Sequence, residues 1–202
     1  MESLQRLCRG RPREFDVDEA LGQALRVFWA KGYEGSSLTD LTEAMGITRP
    51  SLYAAFGNKE DLFRKALALY EREKLAYVAE ALEAKSSREV VERLLRGALE
   101  MQTNATDPKG CMRIISSVTC GAEAESIRED LMARRQSSQR AMCERFERAK
   151  AEGDLPPSAD VDGLCGFIIA ILQGLALQAK SGASKAQLES LVETSLAMWP
   201  GK

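Results

Sequence analysis

Between residues 46 and 63 the chain reads GITRPSLYAAFGNKEDLF, and its side chains suit recognition better than bond-breaking. Thr48, Arg49 and Ser51 offer donors and acceptors to base edges, and Ala54 offers a small apolar contact. Tyr53 presents a hydroxyl to a phosphate and a ring to a sugar or thymine methyl, while Lys59 adds charge beside amides that already favour an anion. In a helix starting near Arg49, Leu52 and Phe56 lie four apart and turn inward, leaving Tyr53 on a different face. Pro50 is tolerated because it falls in the first turn. Catalytic chemistry is poorly provided for. The chain has no histidine, which excludes Ser-His, Cys-His and His-metal catalysis. Its five cysteines contain no CxxC pair and read neither as a disulfide framework nor as a zinc site. No enzyme activity, metal or cofactor is expected.

The 202 residues carry 28 basic and 30 acidic side chains, a formal charge of −2, so attraction to nucleic acid must come from a local patch. One stands at the start, where Arg6, Arg9, Arg11 and Arg13 crowd together. The run Arg9-Gly-Arg-Pro12 has the form of an extended arm whose arginines follow a narrow A·T-rich minor groove. No apolar stretch follows these charges, so no signal peptide is expected and the chain is assigned to the cytoplasm. Its most apolar segment, residues 161–177, is interrupted by Asp162, glycines and Gln173. It falls short of the ~20 residues that span a bilayer and reads as a buried helix, with no membrane partner.

The elements that must hold these side chains are helices throughout. Val17, Leu21, Ala24, Leu25, Phe28 and Trp29 repeat at helical spacing before Gly32. Ser37 to Asp40 has the form of a capping box opening a short helix that Gly46 ends, and a third helix runs from about Thr48 to Gly57. Asn58 caps a long fourth helix expected to reach Ala84, roughly 39 Å at ~1.5 Å per residue. Further periods predict helices from Ser86 or Ser87, over residues 111–120, over 126–152, from about Ala159 to Lys180, and from Ser184 through Leu196. The expected fold is all-α with about nine helices: a basic arm (1–13), a helix-turn-helix DNA-binding domain (14–60) and a helical ligand-binding and dimerisation bundle (61–202).

The stretch from Gly32 to Phe63, GYEGSSLTDLTEAMGITRPSLYAAFGNKEDLF, resembles the DNA-binding segment of the tetracycline-repressor (TetR) family, with the glycines, Leu52-Tyr53, Phe56 and Lys59-Glu60 in register. The resemblance spans about residues 14 to 70. It implies a three-helix DNA-binding domain followed by a variable helical domain for ligand binding and dimerisation. By position, Ser36 and Ser37 resemble residues that fix the second helix to phosphate. Thr48, Arg49, Pro50 and Ala54 stand where bases are read, and Tyr53 and Lys59 where phosphates are held. One departure concerns Ala54 and Ala55, because many family members carry an aromatic residue or histidine in that pair.

In the bundle, the small residues 163, Gly166, Ala170 and Gly174 among large apolar ones allow close helix approach. Together with Leu188, Leu191 and Val192 they are the expected homodimer surface, corresponding to the last two helices through which the resembled family dimerises. A dimer sets two recognition helices about one DNA turn apart and requires a palindromic operator. The effector pocket is expected among the fourth to eighth helices, lined by Leu95, Leu99, Cys111, Met112, Ile115, Phe146 and Phe167. Such a lining suits an apolar or weakly polar small molecule. Cys111 and Cys120, nine residues apart on one helix, lie roughly 13.5 Å apart along its axis, too far for a disulfide. Cys111 could react singly, with Lys109 and Arg113 nearby in sequence. The leading expectation is a repressor released from its operator by a small molecule; the alternatives are a thiol- or electrophile-sensing regulator and an effector-independent architectural DNA-binding protein.

Overall fold

The computed structural model describes residues 15–119 and 124–201, leaving Arg6, Arg9, Arg11, Arg13 and Cys120 outside the described residues. Ten helices follow one another among them: α1 (Val17–Lys31), α2 (Leu38–Met45), α3 (Arg49–Phe56), α4 (Lys59–Lys74), α5 (Ala76–Leu82), α6 (Ser87–Thr103), α7 (Met112–Thr119), α8 (Glu125–Ala151), α9 (Val161–Lys180) and α10 (Lys185–Ala197).

The first four helices begin and end on explicit signals. The Asp16 carboxylate accepts from the amides of Asp18 and Glu19 at the start of α1. Ser37 with Asp40, and Asn58 with Asp61, form reciprocal capping boxes at the starts of α2 and α4. Each cap satisfies amides that the first turn cannot pair internally. Lys31 reaches Asp40 at 2.6 Å. That hydrogen bond, helped by those from Ser37, holds the Asp40 carboxyl far below its usual range.

The long helix expected from Asn58 to Ala84 is instead two. It breaks at Leu75 (φ −112°, ψ 7°), whose amide still donates to the Glu71 carbonyl, and this break raises the expected nine helices to ten. No proline or glycine marks it. The cause is tertiary, because the chain passes from one core to another. Leu62, Phe63, Ala66, Leu67 and Tyr70 of α4 pack with α1, α2, α3, α7 and the start of α8. Ala81 of α5 packs instead with α6, the later turns of α8, α9 and α10. Arg145, buried on α8, donates to the carbonyls of Leu82, Ala84 and Lys85, so a cation secures the end of α5, where the helix dipole favours one.

Polar contacts join the two cores. Trp29 Nε1 of α1 donates to the Gly110 carbonyl at 2.8 Å, and Gln102 of α6 holds the same residue through its amide at 2.8 Å. Asp107, with its side chain almost buried, receives Lys74 at 2.6 Å and Arg26 at 3.6 Å. Lys180 of α9 donates to the Ala30 carbonyl at 3.0 Å. The segment between α6 and α7 therefore straps α1 to the bundle.

Helix α9 corrects another expectation. Its 20 residues are long and apolar enough to pass the length and composition test for a membrane span, yet only 28% of that window is buried within the chain. It is not the buried helix its composition suggests. Gly166 and Ala170 are exposed, Gly174 is partly so, and Leu177 is 49% exposed, so one apolar face is left without cover among the described residues.

Candidate nucleic-acid interface and internal cavity

The turn between α2 and α3 is built on Gly46, whose φ of 64° is open to glycine at little cost. Helix α3 leaves this turn with Thr48 as its cap, the hydroxyl accepting from the Ser51 amide. Its eight residues span about 12 Å, comparable to the ~12 Å width of a major groove. Leu52 and Phe56 are buried at 0% and 1% exposure while Tyr53 stands at 50%. Thr48, Arg49, Pro50 and Ala54 are exposed on the outward side, with Ser51 half-buried at its edge.

Several of these side chains are already oriented. Arg49 donates to Thr39 Oγ1 of α2 at 2.9 Å, which lays the guanidinium along the face shared by the two helices. Thr39 has no distinguishing signal in the sequence, and its role follows only from this packing. The hydroxyls of Thr48 and Ser51 lie 2.9 Å apart. Lys59, at the first position of α4, sits over the Tyr33 ring at 4.4 Å, a cation–π contact that fixes its ammonium at the helix's positive end. Ser37 is exposed but its hydroxyl serves the α2 cap. Ser36 departs from expectation. Its side chain is fully buried and its hydroxyl donates to the Gly32 carbonyl at 2.6 Å, so it secures the end of α1 and cannot reach a phosphate.

A cavity of about 270 Å³ opens between α5, α6, α7, α8 and α9. Leu75, Val78 and Leu82 line it with Leu94 and Ala98 of α6, Met142 of α8, and Ile169 and Leu172 of α9. Gly97 admits the Tyr77 ring to this wall, since a Cβ there would lie 2.3 Å from Tyr77 Cδ2. Burial raises the Tyr77 phenol above its ordinary pKa, so it is a hydrogen-bond donor at physiological pH. Tyr70 OH donates to Cys111 Sγ at 3.4 Å, and burial, followed by that thiol, raises its pKa too. Arg113, Ser117, Arg135, Ser138 and Gln139 bring polar groups to the α7–α8 side.

Of the seven lining residues expected from sequence, only Cys111 reaches this wall. Leu95, Met112 and Phe146 are fully buried in the two cores, Leu99 and Ile115 are 8% exposed, and Phe167 packs half-buried against the second core. Their neighbours Leu94, Ala98 and Ile114 face the cavity instead; one residue is about a 100° turn of a helix. These helices are apolar over much of their circumference, so periodicity does not reveal which face meets a void. The cations expected near Cys111 are engaged elsewhere: Lys109 donates to the Asn104 carbonyl and Arg113 to Ser138 Oγ. A second thiol contact joins Cys143 and Cys165, where burial and then the Cys143 contact push the Cys165 thiol well up, away from reactive thiolate.

The expected dimer residues divide. Gly166, Ala170 and Gly174 lie on the uncovered face of α9, whereas Leu188 and Val192 are 1% and 0% exposed inside the chain's own core. Leu191 is half-buried against that core. Helix α10 uses its large apolar side chains to dock on α6 and α9, so small and polar residues remain outside.

Comparison with known proteins agrees with this geometry. Residues 20–66 match the family model described as bacterial regulatory proteins of the tetR family, and residues 87–194 match a tetracyclin repressor-like C-terminal domain. The chain is 36% identical to the HTH-type transcriptional repressor ComR of Escherichia coli strain K12, over 95% of this chain and 92% of that protein. It is also 36% identical to the uncharacterised HTH-type regulator YezE of Bacillus subtilis strain 168, covering 94% and 98%. Among solved structures, a cysteine-substituted form of the TetR family regulator CifR, complexed with 26-base-pair operator DNA, is 45% identical with a TM-score of 0.89. That match covers 95% of this chain and all of the other.

Proposed function

Because the chain belongs to the TetR family of bacterial transcriptional regulators, which are not enzymes, we propose that it is a homodimeric repressor released from a palindromic operator by a small molecule held in the cavity. The observation that carries the DNA-binding half is the division of α3, with Leu52 and Phe56 buried and Arg49, Pro50, Tyr53 and Ala54 outward. In this reading α3 enters the major groove, Lys59 and Ser37 sit beside phosphates, and Arg9, Arg11 and Arg13 follow the adjoining minor groove. The operator-bound relative supports it. A chromosomal target puts the protein in the cytoplasm.

Release is a matter of helix α4. Lys59 stands at its DNA-facing end, and Leu75, at the break after its other end, lines the cavity. A ligand wedged against Leu75 and Val78 tilts α4 and changes the spacing of the paired recognition helices. Only a ligand that prefers the released arrangement shifts the equilibrium, and couplings of about 1–3 kcal/mol are usual. The uncovered face of α9 supports dimerisation, since two copies packed there remove its apolar surface from water.

Footprinting on DNA flanking the protein's own gene, at several salt concentrations, tests this reading. The expected result is a protected palindrome that weakens as salt rises and vanishes with Tyr53→Ala. Equal protection of every sequence would instead favour an architectural role.

A second reading keeps the same DNA-binding unit but makes Cys111 the sensor. It is favoured by one observation: Cys111 lies on the cavity wall with its sulfur accepting from Tyr70. Release by an alkylating agent that is lost in Cys111→Ser, with operator affinity retained, would select this reading over reversible binding.

A further inference from the structure

The cavity is not uniformly apolar, and its charges have one sign. Arg113 and Arg135 are the only charged lining residues among those described. Arg113 of α7 donates to Ser138 Oγ on α8 at 3.3 Å. Arg135 lies three residues before Ser138, on the same helix face, so both guanidinium groups serve one end of the cavity. Glu71 lies 3.8 Å from Arg113 as a counter-charge, but it is shared with Arg134. Arg135 has no ion pair or hydrogen bond among the described residues. One carboxylate thus faces two guanidinium groups while a third remains unpaired, beside a chamber walled by leucine, isoleucine and methionine.

We infer that the effector is an amphipathic acid, its carboxylate received by Arg135 and Arg113 and its hydrocarbon body by the apolar walls. This rests on the reading that the cavity is the effector site, and it differs from the apolar or weakly polar molecule expected from the sequence. A planar guanidinium pairs with a carboxylate through two parallel hydrogen bonds, which an alcohol cannot reproduce and an amine opposes. The volume of about 270 Å³ is roughly nine times the ~30 Å³ that a water occupies in the liquid. It suits a ligand of roughly ten non-hydrogen atoms, such as a medium-chain fatty acid.

The test compares octanoate, 1-octanol and octylamine by isothermal titration calorimetry with the full-length protein. Octanoate is expected to bind roughly tenfold or more tightly than 1-octanol, with octylamine weakest. Arg135→Gln should bring acid and alcohol to nearly equal affinity, while Arg135→Lys, which keeps the charge, should retain part of the preference. Because Arg135 is exposed, neither substitution threatens the fold. Equal binding of acid and alcohol by the native protein overturns the inference, as does a preference unchanged in Arg135→Gln. Release of operator by 1-octanol but not octanoate would sink the acid preference and leave the effector cavity standing. If no probe binds, the inference falls, while the footprint, which needs no ligand, still decides DNA recognition.

Discussion

Tyr53 and Phe56 stand less than one turn apart on α3 and answer to opposite demands. Phe56 is sealed in the first core, so Phe56→Ala should cost about 3–5 kcal/mol of stability in urea denaturation. Tyr53 is 50% exposed; Tyr53→Ala should leave stability within about 0.5 kcal/mol and lower operator affinity in a gel-shift titration. This division was legible in the sequence, because an amphipathic helix of known register assigns each residue a side. Ser36 was not. Its hydroxyl meets the Gly32 carbonyl only once the chain has turned out of α1, and a serine's type says nothing about which oxygen it will find. Asp40 carries a pH signature. Its folded carboxyl lies below the ordinary value, held there by Lys31 and then Ser37, so its contribution is present above the unfolded pKa of ~3.9 and is lost as pH falls below it. The stability gap between the native chain and Asp40→Asn should therefore narrow as thermal unfolding is followed from neutral pH into acid.

At the scale of elements, caps were readable and contacts between helices were not. Ser37, Asn58 and Ser184 each pair with a residue three positions on, a local pattern that needs no tertiary knowledge. The break at Leu75 has no local mark. It exists because α4 and α5 belong to different cores, and only the folded molecule sets those demands against each other. Gly97 is similarly silent in sequence, yet its missing Cβ is what lets Tyr77 lie against α6. Gly97→Ala should displace that ring, destabilise the protein by about 1–3 kcal/mol in urea and weaken ligand binding in the cavity. Hydrophobicity alone does not reveal the lining, since Leu94 and Leu95 are the same residue type and differ only in direction.

For the whole molecule, the surface proposed to join two copies was only half legible in the sequence. The small residues on α9 lie outward, but Leu188 and Val192 turn into the chain's own core, because α10 must first dock before it can present anything. Ala170→Arg places a charge on the uncovered face. Sedimentation should show the protein shifted from dimer toward monomer, and operator affinity should fall because two half-sites are no longer engaged together.

The strap between α6 and α7 gives the protein an optical reporter of its own. The whole chain contains two tryptophans, and they stand in different places. Trp199 packs on Phe146 at 5.0 Å and donates to Ser87 Oγ at 3.2 Å, within the second core. Trp29 instead donates to the carbonyl of Gly110, next to Cys111 in the chain and held from the other side by cavity-lining Gln102. An indole whose hydrogen bond ends on a moving segment changes its emission when that segment moves. In a Trp199→Phe chain, fluorescence from Trp29 alone should follow cavity occupancy in real time, with neither operator nor label added, and separate the arrival of a ligand from the departure of DNA.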